Sequence, residues 1–238
     1  MIIKKLKADV VTTAIVALSI LLPGAAHAEA LIWGIQMEQF EYRIGDDDDI
    51  FAWGFDAIAG TDELKAVWRS EAEYLTDQGQ FETLENQFRL QTPISSFFDA
   101  VVGIRFDTQE QEDRAYGVIG MKGLAKQWFE VDADLYLGET SFFRLEVEYE
   151  GMITDRLILT PSLEMDVPLQ DDDDLGVASF APTIEIGARL SYDVIDRLIS
   201  PYIGIHHETS FGGTGDFARA EGEDNDALFF VAGLKVLF

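Results

Sequence analysis

Three side chains of this 238-residue chain belong to types that can share a transition-metal ion: the thioether of Met37, the imidazole of His206 and the carboxylate of Glu208. A thioether suits a soft ion, an imidazole a borderline one and a carboxylate a hard one. A mixed set of this kind binds a metal weakly enough to release it, which is what a route across a wall requires. The spacing is not a motif. The three can meet only if the chain closes into a sheet in which the first strand and the last but one are separated by a single strand. A one-residue bulge would turn His206 outward and His207 inward. The other reading is three unrelated polar side chains on one inner wall.

A second set is acidic. Glu41, Glu71, Glu130, Asp132, Glu146, Glu148, Glu164 and Glu185 recur at alternate positions, on the same face as Arg43, Arg69, Arg89, Arg105, Arg144, Arg189 and Lys235. Gathered in a lumen, such an excess of carboxylates draws cations; equally, Arg–carboxylate ladders can brace a polar interior, and both readings stand. The runs Asp46–Asp49 and Asp171–Asp174 offer hard oxygen ligands for calcium or magnesium, able to bridge to lipopolysaccharide phosphates, or are solvated charge. The formal charge is −27, which repels phosphate backbones and excludes a nucleic-acid partner. With no cysteine there are no disulfides, thiolate zinc sites or cysteine nucleophiles. A lipid hydrolase would need a serine paired with a histidine on a lipid-facing surface; Ser191 falls on the lumen face, away from His207, so no enzyme is expected.

The elements that must position these groups are strands. Phe143-Arg-Leu-Glu-Val-Glu-Tyr-Glu150 alternates apolar and charged residues strictly, and Phe129–Leu137, Ile184–Tyr192 and Leu157–Val167 follow suit. Such a dyad period, apolar toward lipid and polar toward a lumen, is the signature of a transmembrane barrel. It predicts twelve segments, roughly 31–44, 50–59, 64–75, 80–92, 97–107, 114–124, 127–138, 141–152, 157–168, 178–193, 198–211 and 227–238. Residues 212–226 are expected to be a polar loop. Trp33, Tyr42, Trp53, Tyr74, Trp128, Tyr149 and Tyr202 lie near segment ends like interfacial girdles. Residues 1–28 read as a secretory signal peptide: Lys4, Lys5 and Lys7, an apolar run from Val10 to Leu22, then Ala26-His-Ala28. The expectation is a single all-β domain over 29–238, an antiparallel transmembrane β-barrel of about twelve strands. It would be monomeric, embedded in outer-membrane lipid, and end on Phe238. A soluble sandwich would have to hide the apolar row between two sheets, and the signal peptide and strand lengths argue against it.

The segment Asp216-Phe-Ala-Arg-Ala-Glu-Gly-Glu-Asp224 resembles a motif near the end of the copper-resistance protein B family. Met37–Arg43 resembles the family's first strand and Gly123–Val131 its central hairpin. Thr154–Leu159 and Ser200–Gly204 are similar to later turns and strand starts, in the family's order. The resemblance implies an outer-membrane barrel of a bacterial copper-resistance system, with copper ions as its cargo. It also implies a periplasmic multicopper oxidase or copper carrier as partner. Many members carry a Met- and His-rich segment before the barrel. Here the first strand is expected within a few residues of Glu29, so any dealings with copper must use the barrel or a partner.

Overall fold

The computed structural model describes residues 31–45, 49–108, 113–195, 197–222 and 224–238. The expected signal peptide and Asp46–Asp48 lie outside the described residues. Twelve strands follow one another: β1 Ile32–Ile44, β2 Ile50–Gly60, β3 Lys65–Leu75, β4 Gln80–Pro93, β5 Phe98–Asp107, β6 Arg114–Ala125, β7 Phe129–Leu137, β8 Phe142–Tyr149, β9 Leu157–Pro168, β10 Thr183–Tyr192, β11 Ile199–Ser210 and β12 Asp226–Leu237. The pair Gly151–Met152 continues β8 as a short extension. Each strand is antiparallel to its sequence neighbour, and β12 pairs with β1, so the sheet closes. A closed sheet has no free edge, which is the condition for crossing a bilayer with strands. No helix among the described residues is long and apolar enough to cross a membrane.

Burial is inverted relative to a water-soluble protein. Arg89, Gln87 and Glu41 are each 1% exposed, whereas Phe230 is 66% and Ile203 65% exposed. Charged groups sealed inside an apolar exterior fit a wall facing lipid and a polar interior. The twelve segments coincide with the expected ones to within a few residues, with two exceptions.

Residues 178–182 belong to a loop rather than to β10. Phe180 has a φ of 57° and Pro182 has no N–H, so the ladder cannot extend through them. The expected loop 212–226 contains a helix, α1 (Gly212–Glu221), closed by Gly222 at φ 91°. It forms against the β9–β10 loop. Thr214 Oγ1 accepts from Ala178 N at 3.1 Å and donates to Ala181 O at 2.8 Å. Tyr202, expected in a girdle, instead faces the lumen at 5% exposure, its hydroxyl donating to Glu41 Oε2 at 2.9 Å.

One sequence feature explains a break in regularity. Pro161 sits inside β9, where it cannot donate to the ladder. The β8–β9 pairing runs from Pro168↔Phe142 to Ser162↔Glu148, then resumes at Leu159↔Gly151. The gap falls opposite the proline, and β8 ends at Tyr149 because of it.

Candidate functional site

Register assembles what sequence parity alone does not. Asp99 lies opposite Lys122, Lys122 opposite Asp132, and Asp132 opposite Glu146. Glu146 lies opposite Glu164, Glu164 opposite Glu185, and Glu185 opposite Glu208. One unbroken row therefore crosses β5 to β11 on the lumen face. Strands in a barrel are tilted and staggered, so a row followed from strand to strand also climbs the axis. Asp99 is near the end that carries the chain termini and short turns; Glu208 is near the end that carries the long loops and α1. Directly opposed side chains have Cβ atoms roughly 5 Å apart. The row is a staircase of carboxylates through the barrel, with one lysine near its foot.

The staircase borders a cavity of about 230 Å³, whose lining includes Glu71, Glu130, Asp132, Glu146, Glu148, Glu164, Glu185 and His206. This volume is below the range typical of organic-ligand pockets and suits ions with a few waters. The partners of the expected acidic residues divide them. Asp132 is held by Arg89 at 2.9 and 3.0 Å and by Arg69 at 3.0 Å. Glu41 accepts from Arg189 at 2.7 and 2.8 Å, from Arg43 at 2.8 Å and from Tyr202, and does not line the cavity. Gly233 makes this possible, since a Cβ there would sit 2.6 Å from the Tyr202 ring. These two carboxylates are braces.

The others are held more loosely or by one cation. Glu71 lies 3.7 Å from both Arg69 and Arg144, and Glu146 lies 3.5 Å from Arg69. Glu164 pairs with Arg144 at 3.0 Å and Glu130 with Lys122 at 3.0 Å. Glu148 is 3.9 Å from Lys235, which also approaches Glu150 at 3.1 Å and Glu38 at 3.9 Å. Among the described residues, Glu208 has no lysine or arginine within ion-pair distance.

His206 faces the lumen, as parity predicts, and is 4% exposed. Arg43 Nη1 lies 3.3 Å from its Nε2, and a guanidinium can only donate, so the lone pair of that nitrogen accepts from Arg43. Glu185 Oε2 stands 3.4 Å from the same nitrogen. His207 faces outward, its Nδ1 2.9 Å from Ala227 O.

Met37 does not join this group. The β1–β2 register shifts between Met37 and Gln39, so Glu38 is a bulge residue, and both Glu38 and Gln39 line the cavity. Below the bulge parity is reversed. Met37 lies opposite Phe55, whose ring packs on the exposed Trp68, and so faces outward. The expected triad Met37, His206 and Glu208 is thus reduced to His206 and Glu208, with Glu185 directly opposite Glu208 and 3.4 Å from His206 Nε2. Among the described residues, no three His, Cys, Asp or Glu side chains gather in a closed metal-holding geometry.

The aspartate run on the β9–β10 loop is engaged with protein. Asp172 Oδ2 accepts from Arg114 at 2.7 Å and from the Thr140 hydroxyl, and Asp172 Oδ1 from the backbone of Asp174 and Leu175. Asp171 accepts from Ser179 N at 2.7 Å. Partial burial alone would raise the Asp172 pKa; the Thr140 and Arg114 contacts outweigh it and hold the carboxyl below the ordinary aspartate range.

Two interior charged residues, Lys122 and Glu38, escape parity reading. Lys122 is 3.0 Å from Glu130 and 3.9 Å from Asp56, but β6 carries apolar residues on both faces, Val118 inside and Ile119 outside, which hides its alternation. Glu38 is masked by the bulge.

A family model described as "Copper resistance protein B precursor (CopB)" matches residues 31–238. The chain is 32% identical over 216 residues to the Escherichia coli "Copper resistance protein B", covering 90% of this chain and 72% of that protein. It is 30% identical over 214 residues to a "Copper resistance protein B homolog" of Pseudomonas syringae pv. tomato, covering 89% and 72%. Among solved structures it resembles the NanC porin, with a TM-score of 0.54 and 11% identity over 86% of this chain and 99% of that one. It also resembles the KdgM porin, with a TM-score of 0.52, 10% identity and the same coverage. At such low identity these two likenesses speak to the fold alone.

Proposed function

This chain belongs to the copper resistance protein B family, and from that premise we propose that it is an outer-membrane barrel of copper resistance whose acidic lumen carries copper ions through the wall. The observation that carries the reading is the staircase from Asp99 to Glu208, which supplies carboxylate oxygens at every strand step but that of Lys122 on β6. A route needs stops that bind and release, and a row of single-sided carboxylates meets that need better than a closed cage. His206 stands beside the upper steps, its Nε2 held by Arg43. The protein acts as a monomer without catalysis. A periplasmic multicopper oxidase or copper carrier serves as its partner at the end bearing the termini, and the acidic outward loops lie against lipopolysaccharide and its divalent cations.

The test is complementation of a deletion strain in graded copper. The wild-type gene should restore tolerance; the triple variant Glu146→Gln, Glu164→Gln, Glu185→Gln should not, while barrel abundance, read by heat-modifiable gel migration, stays equal. Equal tolerance with equal abundance refutes the lumen route. A second reading, a narrow cation-preferring pore without metal specificity, is favoured by the absence of a closed ligand cluster among the described residues. Unchanged copper tolerance together with altered permeability to several cations would select it.

A further inference from the structure

The donor chemistry of the lumen carries the reading one step further, to the oxidation state of the cargo. The four methionines of the described residues are Met37, Met121, Met152 and Met165, and the whole chain has no cysteine. Met37 faces outward with Phe55. Met121 is flanked by lumen-facing Lys122 and the Gly120 backbone, and its side chain, 37% exposed, lies on the outer face opposite Ala100 and Ala133. Met165 lies between Glu164 and Asp166, which face inward, and is paired with Ile184 and Leu145. Only Met152 approaches the opening. It stands at the rim, 66% exposed, and its sulfur accepts from Arg197 Nη2 at 3.4 Å. Among the described residues no sulfur lines the cavity; its donors include carboxylate oxygens, the Gln39 amide, the hydroxyls of Thr83, Thr160 and Ser162, and the imidazole of His206, whose Nε2 already accepts from Arg43.

Cu(I) prefers thioether and thiolate, whereas carboxylate and imidazole suit Cu(II) and other divalent ions. The electrostatics act in the same direction, because each carboxylate step attracts a divalent ion twice as strongly as a monovalent one. We infer that the barrel passes copper as Cu(II) and discriminates against Cu(I), with the opposed carboxylates of Glu185 and Glu208 as the groups that set this preference. The inference rests on the lumen being the copper route.

Purified barrel in sealed liposomes tests it, with metal nitrates supplied outside and trapped metal measured after rapid gel filtration. Ag(I) is the probe for Cu(I), having the same charge and softness without redox chemistry. Cu(II) should enter at least tenfold faster than Ag(I). Glu185→Met, which places a thioether beside His206, should lower that ratio severalfold by raising Ag(I) entry, and it removes a like-charge contact rather than a brace, so the barrel remains intact. Ag(I) entering as fast as Cu(II), or a ratio indifferent to Glu185→Met, overturns the inference while leaving the lumen as a route. If neither metal enters faster than into protein-free liposomes, the lumen route itself is refuted and the inference falls with it.

Discussion

The two walls of the lumen are built from the same residue types and do opposite things. On the β3–β7 wall, carboxylates and arginines are matched and buried. Arg105 pairs with Asp107 at 2.7 Å and Glu85 at 2.6 Å, and its guanidinium lies 4.8 Å from the Tyr136 ring centroid. Arg89 joins Asp132 and Asp134 at 2.9 Å, with its side chain fully enclosed. On the β8–β11 wall, Glu146, Glu164, Glu185 and Glu208 stand directly opposite one another, with Arg144 and His206 as near neighbours. Like charges placed directly opposite destabilise a sheet. The first wall therefore holds the barrel together, and the second stores an unmet demand for positive charge. The lesson is that net charge says little about an interior; what decides its action is where the counter-charges are placed.

The largest effect expected from this contrast is on stability. Arg89→Ala would strand Asp134 and leave Asp132 chiefly to Arg69, and removing one partner of a buried charge network costs about 3–5 kcal/mol. Urea unfolding in lipid vesicles should show that loss. Glu185→Gln, on the other wall, should change stability by less than about 1 kcal/mol, since it relieves a like-charge pair. Equal losses in the two variants would erase the distinction.

The second effect is on ion affinity. A unit charge roughly 5 Å away contributes about 3 kcal/mol at an effective dielectric constant near 20. Arg144 offsets part of this at Glu164, which it meets at 3.0 Å. Replacing Glu164 and Glu185 together by Gln should therefore lower cation preference in planar bilayers by at least about tenfold, read from the reversal potential across a salt gradient. Asp107→Asn, in the braced wall, should leave that preference unchanged.

A smaller effect sits above the braced wall. Asp172 ties the β9–β10 loop to Arg114 and Thr140 on the rim of β6 to β8. Its pKa is lower in the folded protein than in the unfolded chain, so its contribution is complete above the ordinary aspartate value of 3.8 and is lost as the pH falls through the lowered folded value. Asp172→Asn should loosen the loop by about 1 kcal/mol at neutral pH. Amide hydrogen exchange over 169–182 should show faster exchange in the variant, with the difference shrinking in acid. A difference independent of pH would mean that the hydroxyl and backbone contacts, not the charge, hold the loop.

The barrel was legible because alternation is a local property: each strand of the β8 type states its own two faces. The staircase was not, because it depends on the stagger between strands, which no single strand encodes. Glu146, Glu164 and Glu185 could each be assigned to the lumen from parity, but their direct opposition appears only when β8, β9 and β10 are laid in register. Helix α1 escaped notice because Gly212, Gly213 and Gly215 favour a loop, and contacts of Thr214 with the neighbouring loop override that preference.

Met37 offers the smallest effect and the sharpest comparison within one strand. Above the bulge, Glu41 and Arg43 alternate inward as expected; below it, the extra residue at Glu38 rotates Met37 toward Phe55 and the lipid. Its thioether, four residues from the buried Glu41, then faces a medium in which it is one apolar side chain among many. Met37→Leu conserves volume, and exchanges of this kind cost less than about 1.5 kcal/mol even in a packed core. Copper tolerance and Cu(II) entry into liposomes should both match the wild type, whereas Glu208→Gln at the same barrel abundance should slow entry severalfold. A fall in tolerance on Met37→Leu alone would require the β1–β2 register to slip past Glu38 in the membrane, bringing the sulfur inward, and would restore Met37 as a ligand.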